Sequence, residues 1–168
     1  MSHIASVCRE KGLNLEVLAS YLGIPLALLE KMDVISECMP KDMQERIDTF
    51  VSIRDQMVQE FLDNLEVGLD KISEYKSPLV FVVYSNNEDF QDSGADFERL
   101  TYITHRHIIT YLEKMLKEKG ITISIVDFDK TAYDAWRAEA NDSPVARAMW
   151  GAAYISRTRE AQDLHNDD

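Results

Sequence analysis

The stretch PKDMQERIDTFVSIRDQMVQEFLDNLEVGLDKI, residues 40–72, constrains this chain more than any other. Apolar residues recur in it at positions that include 43, 47, 50, 51, 57, 58, 61, 62, 65 and 69. Recurrence every three to four positions is the period of a helix face, and Pro40 suits a helix start, where a missing N–H is harmless. Such a helix runs roughly 45 Å, longer than a small domain is wide. It is therefore expected either to link two halves of the chain or to pack against its counterpart in a dimer. At 168 residues the chain holds one ordinary domain or two small ones. We place the boundary after this helix, with domains at 1–72 and 73–168.

Ahead of it the sequence reads as three short helices. HIASVCRE (3–10) is ended by Gly12. Asn14 is a suitable N-cap for LEVLASYL (15–22), which Gly23 closes as a C′ glycine. Pro25 then opens LALLEKM (26–32), and DVISECM reads as a connection. After Ser77 the chemistry changes. PLVFVVYS (78–85) is β-branched and aromatic, as a strand buried on both faces would be. A polar loop, NNEDFQDSGADFE, follows, then a helical stretch, RLTYITHRHIITYLEKMLKEK, ending at Gly120, and a second strand, ITISIVDF (121–128). Strand, helix and strand in this order predict a parallel crossover. KTAYDAWRAEA and PVARAMWGAAYI read as two closing helices, and RTREAQDLHNDD as a frayed polar tail. The fold class is thus mainly α with a small β component, an α+β or α/β C-terminal part behind an N-terminal helical bundle.

The helices at 15–32 carry a spaced framework. Ala19 is the small residue where one helix crosses the next, and Gly23 supplies a positive φ four positions later. Leu29 and Met32, ten and thirteen positions beyond Ala19, fill the core between the helices with Leu15. KGLNLEVLASYLGIP resembles the lambda-repressor-like DNA-binding domains. The wider stretch through ECMPKDMQERIDTFVSIRDQ is similar to the YdiL-like branch of that superfamily, as is VVYSNNEDFQDSGADFERLTYITHRHIITYL in the second half. The whole chain resembles a bacterial member of that branch with an enlarged C-terminal part. The resemblance implies a helix-turn-helix bundle and a docking surface rather than an activity. In these domains the N-terminal part of the second motif helix enters the major groove.

Charge argues against an ordinary DNA reader. The formal net charge is −12, divided equally between residues 1–66 and 67–168, so no basic domain hides behind the total. Such a surface repels phosphate. The outward positions of the second motif helix fall to Pro25, Leu26, Ala27, Glu30 and Lys31, with Asp33 and Val34 after them. Reading bases needs Arg, Lys, Asn or Gln, and Lys31 alone qualifies. If DNA is bound, Lys11, Asn14, Lys31 and Lys41 are the expected phosphate contacts. Alternatively, Leu26 or Leu28 faces solvent and meets a protein, or the C-terminal half covers this face.

Signals for catalysis are weak. Asn86, Asn87, Glu88, Asp89, Asp92 and Asp96 follow a strand end, where α/β sheets bind ligands, as do Asp127 and Asp129. Oxygen ligands there could hold Mg²⁺ or Ca²⁺, yet the spacing matches no calcium loop. His105 and His107 lie about 200° apart on a helix and cannot share a metal, so one is expected to face the core and one the solvent. No glycine-rich phosphate loop, nucleophile elbow or HExxH is present. Trp136, Trp150, Tyr133 and Tyr154 read as core, with an interface as the other use. Cys8 and Cys38 read as packing residues of a reducing compartment.

Taken together, these features predict a cytoplasmic regulatory protein with no enzymatic activity, no catalytic residue, no cofactor and no metal. It is expected to form a homodimer and to contact DNA weakly or through a partner. The alternative is a protein-interaction module that keeps the helix-turn-helix scaffold without binding DNA. A metal-binding protein or enzyme using the loop at 86–98 is the third reading. No apolar run reaches the roughly 18 residues of a membrane helix.

Overall fold

The computed structural model describes residues 4–35, 40–75, 79–94 and 100–166, with side chains described as far as 65 in the helix that begins at Lys41 and as far as 158 in the last helix. It is mainly helical with one small parallel sheet. Elements run α1 (Ile4–Glu10), α2 (Leu15–Leu22), α3 (Leu26–Ile35), α4 (Lys41–Tyr75), β1 (Leu79–Val83), α5 (Asn87–Gln91), α6 (Tyr102–Glu118), β2 (Ile123–Asp127), α7 (Lys130–Arg137) and α8 (Pro144–Asn166). They form two compact units, one of Met1–Ser77 with Arg99–Ile108 and one of Pro78–Glu98 with Ile109–Asp168.

In the first unit, local chemistry ends the short helices where glycine permits a left-handed turn. Gly12 and Gly23 have φ of 70° and 68°. The N–H of Leu13 reaches the Cys8 carbonyl and that of Ile24 the Ala19 carbonyl, the long hydrogen bond of a Schellman cap. Asn14 caps α2, its Oδ1 accepting from the Val17 N–H at 2.8 Å. Along α4 the buried positions are Met43, Ile47, Phe50, Arg54, Val58, Leu62 and Leu65, a single stripe four or three apart. The first turns of α6 complete this unit. Thr101 and Thr104 cap one another there, and the Thr101 hydroxyl bonds that of Ser20.

Several element limits differ from the sequence expectation. α3 continues through Asp33, Val34 and Ile35, which read as connection. α8 runs to Asn166 rather than fraying after Ile155, because Arg, Glu, Ala, Gln and Leu are all good helix formers. The loop after β1 contains α5, whose start is fixed by Asn86 Oδ1 accepting from the Asp89 N–H at 2.8 Å. Cys38 lies outside the described residues.

In the second unit β1 and β2 pair in parallel, from Leu79 opposite Ile123 to Val83 opposite Asp127. β1 is half-buried over Leu79–Val82 rather than enclosed on both faces. Helix α8 lies against β1 at Gly151, where an added Cβ would stand 2.9 Å from Val82 Cγ2 and 3.2 Å from Val80 Cγ1. These methyls sit on stiff β-branched side chains. Helix propensity alone favours Gly151→Ala by up to ~1 kcal/mol. We expect the opposite sign, a loss of about 1 kcal/mol from overpacking, read as a lower urea midpoint. An unchanged or raised midpoint would contradict the close approach.

Candidate functional site

Helix α3 is the candidate surface. Leu29 is fully buried and Met32 half-buried, with Ala19 buried and Leu15 half-buried on α2. Gly23, the fifth framework position, lies in the turn between α2 and α3 with a φ of 68°. The rest of α3 faces outward. Leu26 is 38% exposed, Leu28 47%, Val34 81% and Ile35 78%, and Ala27, Glu30 and Lys31 are exposed beside them. Pro25, also exposed, precedes the helix and its carbonyl accepts the Leu28 N–H. Asp33, expected on the outer side, turns inward instead. Its Oδ1 accepts the Ala5 N–H at 2.9 Å, satisfying a first-turn donor of α1 and favouring the positive end of that helix.

Three of the four residues expected at phosphates have partners inside the chain. Lys11 Nζ lies 2.7 Å from Asp48 Oδ1, and this hydrogen bond, with one from Gln44, lowers the Asp48 carboxyl pKa. Asn14 is exposed but holds the cap of α2. Lys41, fully in solvent, stands 3.8 Å from Glu45. Lys31 makes no ion pair among the described residues, and Glu30 adjoins it. The outward surface is therefore apolar apart from Glu30 and Lys31, a cation without an ion pair among the described residues.

No family model matches the chain, and no curated protein does.

Beside the end of α1 lies a cation that sequence reasoning missed. Arg54 is 3% exposed; its Nη1 donates to the Lys11 carbonyl at 2.9 Å and its Nε to Asp55 Oδ1 at 2.8 Å. It places positive charge at the C-terminal end of α1, where the helix dipole favours it. The signal was available, since position 54 lies four residues after Phe50 and four before Val58 in the buried stripe.

Other candidates resolve as structure. Cys8 is buried, and burial followed by the nearby Asp33 charge pushes its thiol up to about 11, which makes it a poor nucleophile. Among the described residues no group of three or more His, Cys, Asp or Glu side chains is placed to hold a metal ion. Asp96 lies outside them. His105 and His107 are both half-buried, contrary to the expectation of one in solvent. Arg106 takes the outermost position of that turn, so its neighbours fall about 100° to either side, at the two margins of the buried face. Burial lowers the His105 pKa to about 4, and burial with the Arg54 charge lowers that of His107. No helix among the described residues is long and apolar enough to cross a membrane.

In the second unit the polar centre is Arg147, 4% exposed. Its Nε and Nη2 donate to the two Asp142 carboxylate oxygens at 3.0 and 2.6 Å, and its Nη1 donates to the Asp89 carbonyl at 2.7 Å. The guanidinium carbon stands 4.5 Å from the centre of the Phe128 ring, 5.7 Å from that of Tyr84 and 5.7 Å from that of Tyr133. Tyr133 adds its hydroxyl to Asp142 at 2.7 Å. The Arg147 hydrogen bond is the main cause of the Asp142 carboxyl's fall to about 2.

Proposed function

We propose that this chain is a regulatory protein built on a lambda-repressor-like helix-turn-helix bundle of the YdiL-like type, with α3 docking a protein more readily than DNA. The observation that carries the reading is the outward face of α3, where Leu26, Leu28, Val34 and Ile35 are exposed around Lys31, which makes no ion pair among the described residues. The turn at Gly23 and the buried Ala19 and Leu29 support the bundle type. An apolar surface of this kind favours protein contact, whereas base reading needs several polar side chains. The net charge of −12 opposes phosphate over the whole molecule. Ile53 and Met57 form a second, half-buried apolar line along α4, which supports a homodimer joined through that helix. The setting proposed is cytoplasmic, and no catalytic step is assigned.

Titration of the full chain against random-sequence duplex at low and then rising salt tests this. The docking reading expects no saturable binding at low salt, or binding weaker than the roughly 10⁻⁴–10⁻⁶ M of ordinary non-specific binders. Lys31, without an ion pair among the described residues, favours the second reading of direct phosphate contact. Tighter binding that falls steeply with salt and is abolished by Lys31→Glu would establish that reading and displace the first.

A further inference from the structure

Helices α7 and α8 enclose a cleft of about 410 Å³, independent of the α3 reading, lined by Ala132 and Trp136 from α7 and by Trp150, Tyr154, Arg157 and Thr158 from α8. The spacing explains the walls. Ala132 and Trp136 are four apart, as are Trp150, Tyr154 and Thr158, so each set lies on one helix face. Trp136 stacks on Tyr133 with ring planes 25° apart. Trp150 is buried, and Tyr154 leans on it at 5.4 Å while remaining 46% exposed. A second hollow of about 500 Å³, walled by Ser124–Asp127 of β2 and by Ile155, also borders Tyr154 and Thr158. Half-covered aromatic walls of this kind offer flat faces for stacking.

Charge narrows the ligand. The chain has 30 acidic residues against 18 Lys and Arg, yet among the described residues no carboxylate lines the α7–α8 cleft. The one charged group among its described lining residues is the Arg157 guanidinium, which is exposed and makes no ion pair among the described residues. The Thr158 hydroxyl donates to the Tyr154 carbonyl and keeps its lone pairs for a donor. A guanidinium fork beside aromatic faces matches a carboxylate carried on a flat ring. Clefts of several hundred cubic ångströms with few convergent polar groups are the usual form of small-molecule sites.

We propose that this cleft binds a small planar aromatic carboxylate, its ring against Trp136 and Tyr154 and its carboxylate on Arg157. The chain has two tryptophans, and both line the cleft, so the two indole N–H signals of an amide correlation spectrum report on it directly. Cinnamate added to the full chain should shift both signals saturably, with Kd on the order of 100 µM for a ligand of this size. Its neutral analogue cinnamamide should bind about tenfold more weakly. Arg157→Gln, a change at an exposed position, should remove that tenfold difference by weakening cinnamate alone. Trp136→Leu should weaken both compounds. Absence of saturable shifts at roughly millimolar cinnamate, equal affinity for acid and amide, or undiminished cinnamate binding by Arg157→Gln would each overturn the assignment.

Discussion

Asp142→Ala should remove about 3 kcal/mol of folding stability, a large fraction of the roughly 5–15 kcal/mol that holds a domain together. The reason lies in which partner is buried. Arg147 is 4% exposed, whereas the Asp142 side chain keeps 33% of its surface in water. Removing Asp142 leaves a desolvated guanidinium with neutral partners only, the Asp89 carbonyl and the Tyr84 hydroxyl, which with the aromatic rings replace little of the lost charge interaction. Arg147→Met is therefore expected to cost less than half as much. Its side chain fills most of the same volume among Tyr84, Phe128 and Tyr133, and the abandoned carboxylate can hydrate. The double variant should recover most of the loss of Asp142→Ala, because no cation remains to be stranded. Urea midpoints for the three variants check this. Equal costs for the two single variants would mean that the aromatic rings, and not Asp142, keep the guanidinium in place.

Acid should weaken the fold through His105 before it reaches Asp142. Folded His105 titrates near 4 against an ordinary 6.5, because burial disfavours its charged form. Between these values the unfolded chain binds a proton that the folded chain refuses, so stability falls as pH falls through that window. A difference of this size corresponds to about 3 kcal/mol once the pH is near 4. His107 shifts in the same direction. The Asp142 contribution is present above the ordinary carboxylate pKa and is lost only as pH falls from about 3.8 toward 2. Denaturant midpoints measured from about pH 7 to pH 4 should therefore decline for the native chain and much less for His105→Gln. Parallel declines in the two proteins would assign the loss to other groups.

Much of this architecture is legible because its causes are local. Gly12, Gly23 and Gly120 mark helix ends in the sequence, and each has a positive φ where its helix stops. Asn14 announces a cap that it makes. Two β-branched runs around a helical stretch lead to the parallel pair of β1 and β2. What escaped the sequence depends on partners far along the chain. Arg54 meets a carbonyl 43 residues away and Arg147 one 58 residues away, and a charged residue inside an apolar stripe reads as a break in the pattern until its partner is known. Asp33 looks like an outward residue because its acceptor role is toward Ala5, 28 positions earlier. For the candidate surface, the exposed leucines could be anticipated, whereas the continuation of α3 into Val34 and Ile35 could not. Nothing punctuates DVI as either helix or connection, so packing decides.

The contact of α8 with the sheet also governs how the second unit opens. Two parallel strands alone are too few to persist in water. Here β1 and β2 depend on one helix twice: Gly151 lets α8 lie against the sheet face, and Arg147 binds the aromatic residues that follow each strand, Tyr84 and Phe128. Loosening α8 therefore releases the middle of the ladder and its C-terminal end at once. The two strands and the first half of α8 should behave as one cooperative foldon, with amides that exchange together at a common free energy rather than fraying strand by strand.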